Sequence, residues 1–392
     1  MSNGRILHLA INEKFIDHAH ISFENVAREK NDYLIFFDDH TSYIKNVPHK
    51  VVRYRDRLKP WLYQEIGKYD FVVIHSLHPF WVSVVNACPG SVVFVWIGWG
   101  YDYYDIIYPD QNKLLLEETL KDKLDHKDAG PRKNIFHLPT WLRSIIEAIK
   151  LNPDKISAIE KISLFSPVLP NEYDTVKKHF GGTRFPQETK WNYGSLEEVL
   201  LNGFIGRKVS GNNILLGNSA SNTSNHRDIL GWLKGHKSKL SHRRIICPLS
   251  YGDSTYAQRI EDFGLESIGN NFQALRKFMP LQSYLQIIES CSHLIMNHVR
   301  QQGVGVIIIM LYLGSTVFLR EENPAYRYLK EIGFNIYSIQ QLQENFALLN
   351  AELSLEQKQK NIDLLYKIWS KQALDNKTSE LIDSAMALRA KT

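Results

Sequence analysis

Arg300-Gln301-Gln302-Gly303-Val304-Gly305 combines a permanent cation, two amides and two glycines immediately before the apolar run Val306 to Leu313. An arginine fork suits phosphate oxygens, glycines let the backbone come close to a ligand, and a helix N-terminus adds partial positive charge. That is the chemistry of a diphosphate cradle. Arg320-Glu321-Glu322-Asn323-Pro324 follows the next apolar run, and Glu321, Glu322 and Asn323 are placed to accept hydrogen bonds from ribose or sugar hydroxyls. Further upstream, Gly217-Asn218-Ser219 leads into Ser224-Asn225-His226, small residues followed by helix-capping types. There Gly217 permits close approach, Ser219 offers a hydroxyl, and a helix starting near Asn225 would aim its N–H groups at an anion. Ser250 and Tyr251 form a fourth polar turn, with Tyr251 able to stack on a base or cover a sugar.

The N-terminal half offers the groups that would handle a proton. Asp17 and His18 pair a carboxylate with an imidazole, the residue types of general-base work near neutral pH. Trp99-Gly100-Tyr101-Asp102 puts aromatic faces beside a carboxylate, as a sugar-binding cleft does, and makes Asp102 the alternative base. His75 and His78 lie three apart without a third ligand, which does not make a metal site. Cys88, Cys247 and Cys291 are widely spaced, supporting neither a disulfide framework nor a zinc site and fitting a reducing compartment.

These residues need elements to hold them. Short apolar runs recur at Ile6 to Ile11, Tyr33 to Phe37, Phe71 to Ile74, Val92 to Ile97, Ile162 to Phe165, Ile214 to Leu216, Ile245 to Leu249, His293 to Met296, Thr316 to Leu319 and Asn335 to Ser338. Most are continuous, the pattern of strands covered on both faces, and helical-period segments such as Tyr256 to Phe263 separate them. Strand-helix alternation twice over predicts an α/β protein with two parallel sheets, and each polar turn then falls at the carboxyl end of a strand, where such sheets bind ligands.

A chain of 392 residues suits two domains. The glycine-rich stretch Leu201 to Asn213 marks the boundary, giving a first domain over 1–205, a second over 212–352 and a helical tail over 353–392. A charged helical insertion over about 113–160 interrupts the first domain. Within it, Trp141 to Lys150 has one apolar face, readable as a packed helix or as a helix lying in a membrane interface. No run approaches a membrane span, and Met1 to Ile11 reads as a strand instead of a secretory leader. The net charge of +5 is mild for a nucleic-acid binder and compatible with an anionic ligand or lipid surface.

The chain resembles the TDP-N-acetylfucosamine:lipid II N-acetylfucosaminyltransferases, the glycosyltransferase family 56 enzymes that add the third sugar of enterobacterial common antigen. The resemblance is strongest from Ile214 to Ile336, on Leu216 to Ser219, Ser224 to His226, Arg300 to Gly305 and Arg320 to Pro324. It returns at His75, His78-Pro79 and Trp81, and at Trp99 to Asp102, while Lys113 to Tyr193 departs from the family. It implies a GT-B fold, two Rossmann-like domains facing across a cleft, with a TDP-sugar donor on the second and an undecaprenyl-diphosphate-linked saccharide acceptor on the first. The aromatic and histidine turns of the first domain make His75, Trp99 and Tyr101 the acceptor contacts, Tyr101 standing where the family has a small residue, and the resemblance further implies no bound metal or cofactor and a peripheral place on the cytoplasmic face of the inner membrane. Three readings stay open beside it: an enzyme of another surface polysaccharide, a non-catalytic nucleotide-sugar-binding subunit, and a sugar-nucleotide epimerase.

Overall fold

The computed structural model describes residues 4–37, 43–126, 154–240 and 242–391. The apolar face over 141–150 lies outside the described residues. Two compact units emerge. The first comprises 4–109, 154–195 and 371–391, and the second 110–126 and 196–370.

The first unit is built on a seven-stranded parallel sheet in the order β3-β2-β1-β4-β5-β6-β7. Its strands are β1 Ile6–Ile11, β2 Asn31–Phe36, β3 Lys50–Val52, β4 Phe71–His75, β5 Phe94–Ile97, β6 Leu164–Ser166 and β7 Gln187–Glu188. The second unit has six parallel strands in the order β10-β9-β8-β11-β12-β13. These are β8 Asn213–Leu216, β9 Ile245–Pro248, β10 Phe272–Leu275, β11 Cys291–Met296, β12 Thr316–Leu319 and β13 Tyr337–Ser338. Continuous burial along β1, β4, β8 and β11 is the reason their sequences read as unbroken apolar runs: helices cover both faces.

Three strands do not appear among the apolar runs, and all three are edges. β3, β7 and β10 each end a sheet: β3 and β7 are mostly exposed and β10 is interrupted by two half-buried residues, so none carries a continuous apolar signature.

The chain passes between units at Ser195–Leu196, ahead of the glycine-rich stretch; Gly203 and Gly206 (φ 82° and 77°) lie inside the second unit. The tail divides at Ser370. Helix Leu355–Trp369 packs on helix Val304–Leu313 of the second unit, while helix Lys371–Arg389 packs on Phe15–Val26 of the first. There Leu374, Leu381, Ile382 and Ala385 join Phe23, Phe71 and Trp191 in one buried cluster. The C-terminal helix is therefore part of the first unit's core and not an appendage. Of the insertion, helix Glu117–Asp125 belongs to the second unit, anchored by buried Asp122, which accepts from Arg227 (3.0 Å) and Arg259 (3.0 Å). The three cysteines are buried and free.

Among the described residues, His8, His75, His226, His293 and His298 are buried. Burial disfavours their charged form, lowering His8 and His226 to about 3, His293 to about 4, and the other two well below 6.5. A lowered folded pKa means stability that is complete above the unfolded value and lost as pH falls toward the folded one. Each such histidine withdraws about 1.4 kcal/mol per pH unit below roughly 6.5. The midpoint of urea unfolding is expected to drop steeply from pH 7 to pH 5; a flat profile over that range contradicts the assignment.

Candidate functional site

In the second sheet the chain builds β8, β9 and β10 outward on one side, then returns to add β11, β12 and β13 on the other. The loops leaving β8 and β11 therefore turn to opposite faces, opening a crevice at their carboxyl ends where doubly wound sheets bind ligands. Gly217 and the 297–303 turn meet there.

Gly217 has φ 69°, and a Cβ at that position would stand 2.5 Å from Nε2 of His226, so both backbone and space demand glycine. Gly303 (φ 66°) caps helix Val304–Leu313, and a Cβ there would meet Met296 at 2.5 Å and Asn218 at 3.0 Å. Gly305 is only in ordinary contact range of Leu200. Gln302 joins the two turns: its amide nitrogen donates to Oδ1 of Asn218 (3.1 Å) and Oγ of Ser219 (3.0 Å), and its oxygen accepts from Thr223 (2.8 Å). Gln301 is buried and Arg300 half-buried beside it.

Asn323 holds this turn from beneath. Its amide donates to the carbonyls of His298 (3.1 Å) and Arg300 (3.0 Å) while its oxygen caps Ala325 N–H (2.8 Å). Asn323 is fully buried and fully used, so it positions the turn; the expectation that it reaches a sugar itself is corrected by that geometry. Glu322 is likewise engaged, by Arg320 (2.8 and 3.2 Å) and Gln340 (2.8 Å), whereas Glu321 accepts from Ser338 (2.7 Å) and retains the greater capacity to bind a hydroxyl. Burial raises the Glu322 carboxyl, but these donors together outweigh it and hold the pKa below its ordinary value.

Asn225 does not present an open helix start. In a left-handed conformation (φ 50°), its side chain accepts from Leu116 N–H (2.9 Å) and donates to the carbonyls of Leu114 (3.1 Å) and Asn297 (3.2 Å). Asp228 caps helix Glu117–Asp125 by accepting from Glu118 N–H (2.9 Å) and Thr119. The segment 114–119 occupies the place that sequence alone leaves to an anion. Ser250 and Tyr251 are exposed beside the β8 turn, drawn in because Ala220 N–H donates to Tyr251 O (2.7 Å) and Asp253 N–H to Ala220 O (2.9 Å).

The first sheet reverses between β1 and β4. At that edge Asp102 is almost wholly buried, its carboxylate accepting from Leu77 N–H (2.8 Å), Trp96 Nε1 (2.7 Å) and Trp99 N–H (2.7 Å). Burial raises its pKa against those three donors. All of its bonds fasten the β4 and β5 turns, which corrects the expectation of a base: Asp102 is a positioning residue. Asp17 similarly pins the loop at Lys45 and Asn46 (3.1 and 3.0 Å). His18 stays half-buried, and burial, then Lys14, lower its pKa, so its ring is neutral at pH 7.

His75 is sealed inside instead of facing a ligand, as the middle of a directional chain. Asn31 donates to Glu24 Oε1 (2.7 Å) and Ala27 O (2.8 Å), so its oxygen accepts from His8 Nε2 (3.2 Å). His8 Nδ1 must then accept from His75 Nε2 (2.9 Å), and His75 Nδ1 from the Tyr193 hydroxyl (2.8 Å). The Tyr193 oxygen in turn accepts from the Trp99 indole. Trp99 packs edge-on against Phe15, Tyr101 and Tyr193 at 5.7, 6.3 and 5.9 Å between ring centres, and Phe15 and Tyr101 are 39% and 47% exposed. The result is an aromatic platform with polar margins. Ser76, at φ 66°, bonds the Tyr101 hydroxyl at 2.9 Å.

Sequence reasoning missed Phe15, Tyr193, Ser76 and Glu13. Burial raises the Glu13 carboxyl against the pull of Lys14, and its charge is felt by Tyr101. Its position two residues past β1, at the strand reversal, is the signal that could have found it. Among the described residues no cluster of three or more His, Cys, Asp or Glu could hold a metal ion.

Residues 205–370, which contain every one of these second-unit turns, match the family described as 4-alpha-L-fucosyltransferase, glycosyl transferase group 56. This segment is similar to glycosyltransferase group 56. The whole chain shares the GT-B fold with structures of low identity. The HepE protein of Anabaena, solved with UDP and glucose, is 12% identical with TM-score 0.61, covering 96% of this chain and 99% of its own. The lipopolysaccharide outer core galactosyltransferase WaaB is 11% identical, TM-score 0.60, covering 97% and 99%. Sucrose-phosphate synthase of Thermosynechococcus elongatus is 8% identical, TM-score 0.62, covering 98% and 100%. The chain is a glycosyltransferase, a hexosyltransferase by class.

Gly217→Ala is expected to weaken nucleoside diphosphate binding at least tenfold and to cost about 1–2 kcal/mol of stability through its left-handed backbone and the clash with His226. Calorimetric titration and urea unfolding measure the two effects. Undiminished binding in the alanine variant removes Gly217 from the site.

Proposed function

We propose that this glycosyltransferase moves a 4-acetamido-4,6-dideoxyhexose of the Fuc4NAc type from a TDP-sugar to an undecaprenyl-diphosphate-linked saccharide, at the cytoplasmic face of a bacterial inner membrane. The observation that carries the reading is the family match over the segment holding Gly217, Arg300 to Gly305 and Arg320 to Asn323. A nucleoside diphosphate in this place is also consistent with the UDP bound in the HepE structure, which shares the fold.

The residues divide the work. Arg300 and the backbone at Gly303 to Gly305 meet the diphosphate, with Asn218, Ser219, Gln302 and Gln301 shaping its pocket. Glu321 takes a sugar or ribose hydroxyl and Tyr251 covers the base. On the first unit, Phe15, Trp99 and Tyr101 offer the acceptor ring its apolar contact. An acceptor hydroxyl oxygen attacks the anomeric carbon of the donor; the bond from that carbon to the diphosphate oxygen breaks, its electron pair staying on the diphosphate, and neutral His18 takes the hydroxyl proton. Charge on the leaving group is met by Arg300 and the helix start, so no cofactor or metal is invoked, and activity is expected to persist in EDTA.

A second reading, transfer to a different lipid-linked saccharide, is favoured by one observation: the family match begins at residue 205, leaving the aromatic platform outside it. Paired assays with alternative acceptors decide between them.

A panel of nucleoside diphosphates in thermal-shift titrations is expected to show TDP stabilising the protein more than UDP, GDP or ADP, by about 2.7 kcal/mol at a hundredfold excess over Kd. Arg300→Ala should lose most of that shift, and equal stabilisation of parent and variant would falsify the cradle. His18→Asn is expected to lower kcat about a hundredfold or more with donor affinity kept. Because His18 is lowered below 6.5, the acid limb of kcat/KM should fall below that pH and vanish in the variant; an unchanged limb assigns the proton elsewhere, with Glu13→Gln the next variant to assay.

A further inference from the structure

Between Lys45 and Lys59 the first unit carries six basic residues, Lys45, Lys50, Arg53, Arg55, Arg57 and Lys59, against one acid, Asp56. That excess of five equals the formal excess of the entire chain. The single acid is also turned inward: Asp56 is 8% exposed, accepting from Arg53 N–H (2.8 Å) and Lys59 Nζ (2.7 Å). Lys45, Lys50, Arg53, Arg55 and Lys59 are exposed. The outer face of this stretch is therefore cationic.

It is not only cationic. Leu58 projects with 79% of its surface exposed, Tyr54 lies under the Arg57 guanidinium at 3.9 Å, and the Trp61 ring lies under the Lys50 ammonium at 4.0 Å. The stretch includes β3, the edge strand of its sheet among the described residues. Basic side chains around a bare leucine and interfacial aromatics match an anionic bilayer surface, where headgroup charge meets the cations and the leucine enters the acyl boundary. A nucleic acid would use the same charges but gains nothing from Leu58.

We propose that β3 and the turn after it, Lys50 to Lys59, form the surface by which the protein docks on anionic phospholipid. The inference rests on the lipid-linked acceptor reading for its purpose, while its evidence is independent of any donor or acceptor.

The test is sedimentation of the full chain with vesicles of phosphatidylglycerol in phosphatidylcholine and with phosphatidylcholine alone. Binding is expected only to the anionic vesicles. Arg53→Gln/Arg55→Gln should weaken it about thirtyfold, roughly fivefold for each cation. Leu58→Ser should weaken it about tenfold. Thermal stabilisation by nucleoside diphosphate, measured on the same variants, should be unchanged and shows them to be folded. Equal sedimentation of parent and variants, or absence of parent binding, overturns the proposal. So does a Leu58→Ser variant that binds vesicles normally while duplex DNA competes for the parent, which assigns the face to nucleic acid. Vesicle binding that behaves as expected beside a failure to glycosylate any lipid-linked acceptor sinks the acceptor reading and leaves the docking surface standing.

Discussion

The second-unit site depends on satisfying the backbone of irregular turns placed at the carboxyl ends of a buried sheet. Such turns carry N–H and C=O groups that no ladder can pair, and leaving one buried and unpaired costs about 1–3 kcal/mol. Side-chain amides answer this here. Asn323 ties two carbonyls of the 298–300 turn, Asn225 and Asn297 bond each other's backbone oxygens, and Gln302 joins the turn to Asn218 and Ser219. The amide serves because it donates and accepts from one rigid group, which neither a carboxylate nor a hydroxyl matches. Arg300 and the glycines are held at the crevice by this lattice.

The same lattice explains how far the sequence could be read. Central strands were legible because burial on both faces leaves apolar runs, and β12 is found at its predicted bounds, Thr316–Leu319. The polar turns were legible as a group, since strand ends are where chemistry is placed. Roles within the turns were not. Asn323 looks the same whether it bonds a sugar or its own backbone, and only the three-dimensional neighbourhood of His298 and Arg300 separates the two. Asp102 follows the same logic: three inward N–H donors make it structural, and those donors come from Leu77, Trp96 and Trp99. The carbonyl partners of Asn323 and the Leu77 donor to Asp102 lie 23 to 25 positions away and leave no local trace.

Edges and long-range returns were the other blind spot. β3, β7 and β10 lack the covered faces that write a pattern into sequence. The last helix, read as a tail that could join either sheet, packs on Phe15–Val26 because Leu374, Leu381 and Ala385 complete a surface assembled from β1, β4 and β5. Glu13 and Phe15 were missed for a related reason: their place just past β1 was visible in the sequence, but the strand reversal between β1 and β4 that gives the place its weight is a matter of topology.

The hydrogen-bond chain from Asn31 to Trp99 fixes more than two imidazole tautomers. The indole has a single donor, and it is committed to Tyr193, whose hydroxyl is itself committed on both sides. Trp99 therefore has only ring carbon and π density left for anything that settles over it. A sugar ring on that surface would be gripped by its C–H face, with no account taken of which hydroxyl is axial or equatorial. Discrimination among epimers would fall to the margins, where Glu13 and the half-exposed Tyr101 lie outside this chain of bonds. Stereochemical choice would then rest with the residues around the indole and not with the indole itself.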